Sequence, residues 1–77
     1  MVVKVRLFAS LRESLGFGER TIEADTALTA AEVWSRIADG GVLPSQVRVA
    51  INARYAKPAD PVRDGDEVAF CPPVTGG

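Results

Sequence analysis

The sequence predicts an α+β domain, a mixed sheet covered on one face by one main helix. Three observations carry that prediction. Apolar and polar residues alternate with the period of two that half-buried strands show, first in V-V-K-V-R-L near the N-terminus and again in Val47 to Asn52 and Glu67 to Cys71. One amphipathic helical stripe follows the capping box Thr29-Ala30-Ala31-Glu32. The chain has 77 residues, 47% of them hydrophobic, which is room for one small core and for no second domain.

The first strand runs from Val2 to Ser10, with Val3, Val5 and Leu7 turned inward and Lys4, Arg6 and Phe8 outward. Leu11 and Leu15 sit four apart, as in a helical turn, and Gly16-Phe17-Gly18 reads as a hairpin turn because glycine tolerates positive φ. Glu19 to Ala24 then pairs back as a second strand, Ile22 and Ala24 inward. The main helix starts at Ala30, stapled by Leu28 and Val33. Its stripe is Ala30, Val33, Trp34, Ile37 and Ala38, and Gly40-Gly41 ends it. Trp34 on that stripe belongs to the core.

The third strand has Val47, Val49 and Ile51 inward and Arg48, Ala50 and Asn52 outward. Tyr55 to Lys57 forms a short edge strand, interrupted by Pro58 and Pro61, which cannot donate to a ladder. Asp64-Gly65-Asp66 turns into the last strand, Glu67 to Cys71, whose inward residues are Val68 and Phe70. A helix with a single apolar face must pack on one side of the sheet, with a right-handed crossover from the second strand to the third. This order is that of a ubiquitin-like, β-grasp domain over residues 1–71, followed by an extended C-terminal tail over 72–77 that ends in GG.

Composition excludes much chemistry. The formal net charge is -1, from nine Lys plus Arg against ten Asp plus Glu, so the chain offers no cationic footprint for nucleic acid. Histidine is absent, which removes histidine bases, Ser-His-Asp and Cys-His catalysis and histidine-containing metal sites. A single cysteine, Cys71, makes no internal disulfide and no all-cysteine metal site, as in a reduced cytoplasmic protein. No apolar run approaches the roughly 18 residues of a membrane span, and no standard secretion signal is present. Asp60, Asp64, Asp66 and Glu67 lack calcium-loop spacing and read as turn chemistry on a solvated edge, so no metal is expected. Gly16-Phe17-Gly18 likewise lacks the further glycine and lysine of a phosphate loop.

The ending Pro72-Pro73-Val74-Thr75-Gly76-Gly77 carries no core-facing pattern. Paired prolines hold the chain near polyproline II, and at about 3.3 Å per residue the tail reaches roughly 20 Å. Two glycines without Cβ atoms let a narrow channel in a partner admit bare backbone up to the Gly77 carboxylate.

Over its full length the chain resembles the MoaD family of ubiquitin-like sulfur carriers, the small subunits of molybdopterin synthase. The most specific stretch is D-G-D-E-V-A-F-C-P-P-V-T-G-G, Asp64 to Gly77, supported by V-K-V-R-L-F-A-S-L-R-E at Val3 to Glu13 and A-I-N at Ala50 to Asn52. The resemblance implies that an E1-like adenylating enzyme consumes ATP to activate the Gly77 carboxylate, which sulfur converts to a thiocarboxylate. It further implies that Pro72, Pro73, Val74 and Thr75 thread Gly76 and Gly77 into the large synthase subunit. There sulfur passes to cyclic pyranopterin monophosphate, in a heterotetramer of two small and two large subunits.

The carrier itself is then no enzyme, binds no cofactor and needs no histidine. Phe8 matches a docking-face position of the family, and Phe8, Ala50, Ala69 and Cys71 are expected to form one apolar patch for both partners. At Cys71 the chain departs from the aromatic that the resemblance implies. A carrier for thiazole or amino-acid biosynthesis, a ubiquitin-like modifier that joins Gly77 to lysines, and a β-grasp binding module without tail chemistry are the alternatives.

Overall fold

The alternation of the first strand appears directly in β1 (Val2–Leu7), where Lys4 and Arg6 are exposed and Val3, Val5 and Leu7 are buried. The computed structural model of the chain describes residues 1–73. Helix α1 (Ala9–Leu15) follows at once, then β2 (Glu19–Glu23), β3 (Leu28–Thr29), α2 (Ala30–Ile37), β4 (Arg48–Ile51), β5 (Arg54–Ala56), β6 (Pro61–Val62) and β7 (Glu67–Cys71). Five strands form the main sheet in the order β2-β1-β7-β4-β5, while β3 and β6 make a separate two-stranded sheet. Among the described residues only β1 and β7 run parallel, with Val5 opposite Val68 and Leu7 opposite Phe70, so the sheet is mixed. This is the β-grasp arrangement.

The core lies between the inward face of the sheet and α2. Val3, Val5, Ala30, Val33, Val68 and Phe70 are fully buried, and Leu7, Trp34, Ile37 and Val49 are nearly so. Trp34 meets Phe70 edge-on with ring centroids 5.1 Å apart, a geometry that aromatic quadrupoles favour.

Helix α2 begins where its capping box lies. The Glu32 amide donates to the Thr29 hydroxyl at 3.2 Å and the Thr29 amide to the Glu32 carboxylate at 2.9 Å. The next amides also find acceptors, since Ala30 donates to the Asp60 carbonyl and Ala31 to the Pro58 carbonyl. The first-turn donors of a helix have no partner within it. Here the segment around Pro58 and Pro61 supplies them, and that segment also forms β6 against β3.

Several expectations change. The first strand stops at Leu7 and does not reach Ser10, because Ala9 has φ 52 and starts α1. Phe8 therefore stands at a strand–helix junction and not in the outward register of the strand. Gly16 is the αL cap of α1, φ 83, with its amide donating to the Arg12 carbonyl, so Gly16-Phe17-Gly18 ends a helix and is no tight hairpin turn. Asn52 leaves the third strand to form the β4–β5 turn with Ala53. Ala38 is the C-cap of α2 rather than part of it, though it packs half-buried against the core as the stripe predicts. Pro61, expected only to interrupt, lies within β6 opposite Thr29.

Candidate functional site

On the face of the main sheet turned away from α2, strand register places the residues expected to form a patch as follows. Ala69 of β7 lies opposite Ala50 of β4, and Ala50 lies opposite Tyr55 of β5, so the three stand in one row across the sheet. On its other side Ala69 meets Arg6 of β1. One step further along β7, Cys71 is opposite Arg48. The Phe8 amide donates to the Phe70 carbonyl at 3.3 Å, which brings Phe8 beside the end of β7.

Ala50, Ala69 and Cys71 are half-buried. Phe8 is 44% exposed and Tyr55 82% exposed, so two large apolar surfaces rise at opposite ends of a floor of small side chains. Leu11 and Leu15 of α1 pack toward the core and leave Phe8 uncovered.

Tyr55 is the member that sequence reasoning placed only on an edge strand. Its signal was available, since an aromatic in the register of Ala50 on a short edge strand has no core to join. It became readable only with the β4–β5 register. The Arg48 guanidinium stands 6.0 Å from the Tyr55 ring, at the outer limit of a cation–π contact.

Charges border the patch on the β1 and β2 side. Arg6 Nε reaches Glu19 at 3.2 Å and Glu67 at 3.6 Å, and Lys4 Nζ reaches Glu19 at 4.0 Å. All are solvent-accessible, so they contribute little stability and instead leave the rim polar. A small apolar floor, protruding aromatics and a charged rim are the anatomy of a protein-docking surface rather than of a catalytic cleft.

The acidic residues near the last turn have structural partners. Asp60 accepts the Lys57 amide at 2.9 Å, and Asp64 accepts the Val2 amide at 2.7 Å. Asp66 accepts the Arg63 amide at 2.8 Å and the Asn52 side-chain amide at 2.9 Å. The Arg63 backbone donor, followed by Asn52, holds the Asp66 carboxyl below its ordinary 3.8. Asp66 and Asn52 fasten the start of β7, at the opposite end of that strand from Cys71.

Pro72 and Pro73 follow Cys71 at the Phe8 corner, Pro72 half-buried and Pro73 exposed. The expectations for Val74, Thr75, Gly76 and Gly77 lie outside the described residues.

Comparison with known proteins gives the family and the fold. The sequence matches the ThiS family over residues 5–77. It is 40% identical to the molybdopterin synthase sulfur carrier subunit of Chlamydomonas reinhardtii, covering 100% of both chains. It is 34% identical to the subunit of that name from Escherichia coli, covering 99% of this chain and 100% of the other. Among solved structures, SAMP1 from Haloferax volcanii superposes with a TM-score of 0.85 at 25% identity, covering 100% of both chains. A chain in the complex of subunits 1 and 2 of the molybdopterin-converting factor from Helicobacter pylori superposes at 0.66 with 25% identity and 100% of both chains covered. A chain of the Amycolatopsis orientalis BexX/CysO complex gives 0.63 at 31% identity, covering 97% of this chain and 99% of that one.

Proposed function

The chain belongs to the ThiS family, and from that membership we propose that it acts as the sulfur-carrier subunit of a molybdopterin synthase. The observation that carries the proposal is end-to-end likeness to relatives of that name, 40% and 34% identical. The exposed aromatics Phe8 and Tyr55 and the half-buried Ala50 and Ala69 support it, because a carrier works by docking.

In the proposed cycle an E1-like enzyme couples the Gly77 carboxylate to ATP as an acyl adenylate, with release of pyrophosphate. A carboxylate resists attack because neither oxygen is a leaving group; adenylation supplies one. A sulfide-level sulfur nucleophile attacks the acyl carbon and AMP leaves with the bonding pair of the C–O bond, giving a Gly77 thiocarboxylate, a soft nucleophile. Pro72, Pro73, Val74 and Thr75 thread Gly76 and Gly77 into the large subunit, where the sulfur passes to cyclic pyranopterin monophosphate. Phe8, Ala50, Ala69, Cys71 and Tyr55 hold the carrier against each partner in turn. No side chain of this chain acts as acid or base.

The two-subunit complex from Helicobacter pylori supports a large-subunit partner, and a heterotetramer of two small and two large subunits in the cytoplasm completes the proposal. Among the described residues no helix is long and apolar enough to cross a membrane.

The test is the intact mass of the chain after incubation with the adenylating enzyme, ATP and a sulfur source, beside a chain lacking Gly77. A gain equal to exchanging one oxygen for sulfur, absent from the shortened chain, is expected. No gain, with an enzyme active on a known carrier, overturns the proposal. Covalent adducts of the chain with other proteins on denaturing gels, without the gain, would point to a modifier.

A further inference from the structure

Beside Phe8, between α1 and the start of β2, lies an open hollow of about 320 Å³ lined by Arg6, Phe8, Arg12, Gly18 and Glu19. A second hollow adjoins it, and Arg12, Ala9 and Gly18 line both. The cations here differ in their engagement. Arg6 is held by Glu19 and Glu67, and the Arg20 guanidinium lies 3.9 Å from the centre of the Phe17 ring. Among the described residues Arg12 forms no ion pair, and Glu13 lines only the second hollow.

Arg12 is nevertheless placed. A Cβ at Gly18 would stand 2.9 Å from Arg12 Nε and 3.1 Å from Cζ, so the guanidinium lies across backbone that only glycine leaves open. Gly18 has no left-handed φ to explain it, unlike Gly16 with φ 83. Its carbonyl accepts the Leu7 amide at 2.9 Å, which fixes that backbone against the end of β1. A guanidinium so positioned, solvent-facing and at the edge of an apolar patch, suits a carboxylate on whatever covers that patch.

We propose that Arg12, seated on Gly18, receives an acidic side chain of the protein that docks over Phe8. The proposal rests on the docking role assigned above, with the large subunit of molybdopterin synthase as that protein. The ion pair forms only in the complex, where docking excludes water from the hollow, so it fixes the orientation of the carrier as well as adding affinity.

Calorimetric titration of the full chain with that large subunit, at low and high salt, tests it. Arg12→Gln is expected to bind roughly tenfold more weakly, with a shallower salt dependence and an unchanged thermal midpoint, and Arg12→Lys to keep part of the affinity. Gly18→Ala, which displaces only the far end of a long side chain, is expected to weaken binding in the wild-type background and to have no effect alongside Arg12→Gln. Wild-type affinity and salt dependence in Arg12→Gln would overturn this inference alone. So would an equal loss from Gly18→Ala with and without Arg12, and, should Arg12→Gln lose its fold, wild-type affinity and salt dependence in Gly18→Ala alone would overturn it. Failure of the wild-type chain to bind the large subunit would overturn the docking role itself, and this inference with it.

Discussion

Asn52 and Ala53 close the β4–β5 hairpin with φ 52 and φ 68, both in the left-handed region that a two-residue type I′ turn requires. Asparagine adopts this conformation readily, whereas alanine does so at a cost of about 1–2 kcal/mol. Ala53→Gly is therefore expected to raise stability by up to about 1 kcal/mol in urea unfolding, after the added freedom of the unfolded chain is subtracted. The same strain explains why Asn52 looked like a strand residue in the sequence: Asn-Ala lacks the glycine that marks such turns.

Asn52 also donates to Asp66 and accepts the Glu67 amide at 3.0 Å, tying the turn to the start of β7. Asp66 has its folded pKa lowered, so its contribution is present above the unfolded value and lost as pH falls through the folded one. Unfolding measured at pH 7 and near pH 3 should show Asp66→Asn less stable than wild type at the higher pH and the difference shrinking at the lower.

The elements differ in how openly the sequence declares them. Helix α2 was legible from Thr29, Glu32 and its stripe because each signal is local, and both capping hydrogen bonds are present. Thr29→Ala should lower stability by about 1 kcal/mol, read as a shifted urea midpoint with an unchanged slope. Helix α1 was harder to read. It spans seven residues, contains none that is fully buried, and has no side-chain cap at Phe8. A segment so short is helical because Leu11 and Leu15 find the core and Gly16 stops it, and not through its own propensity. The pairing of β3 with β6 was invisible for a related reason: two-residue strands carry no period.

Over the whole molecule, the docking role proposed for the face opposite α2 separates from the stability carried by the face toward it. Phe8→Glu and Tyr55→Glu alter exposed side chains and are expected to leave the thermal midpoint within a degree or two, on the order of ±0.5 kcal/mol. Each should weaken capture of the large subunit and of the adenylating enzyme about tenfold or more in a binding assay, as loss of an aromatic anchor does. Phe70→Ala, on the inward face of the same sheet, should instead cost about 3–5 kcal/mol of stability.

The sequence by itself determined the class of fold, the inward residues of β1, β4 and β7, the start of α2 and the ending from which the carrier chemistry was inferred, because periodicity, capping and turn residues act over a few neighbours. Only the tertiary structure decided that Ala69, Ala50 and Tyr55 share one row, that Phe8 stands at a junction beside them, and that Arg12 lies over Gly18. Those are relations between residues far apart in the chain, set by strand order and register. Local pattern does not encode the register between strands far apart in the chain; burial of the shared core selects it.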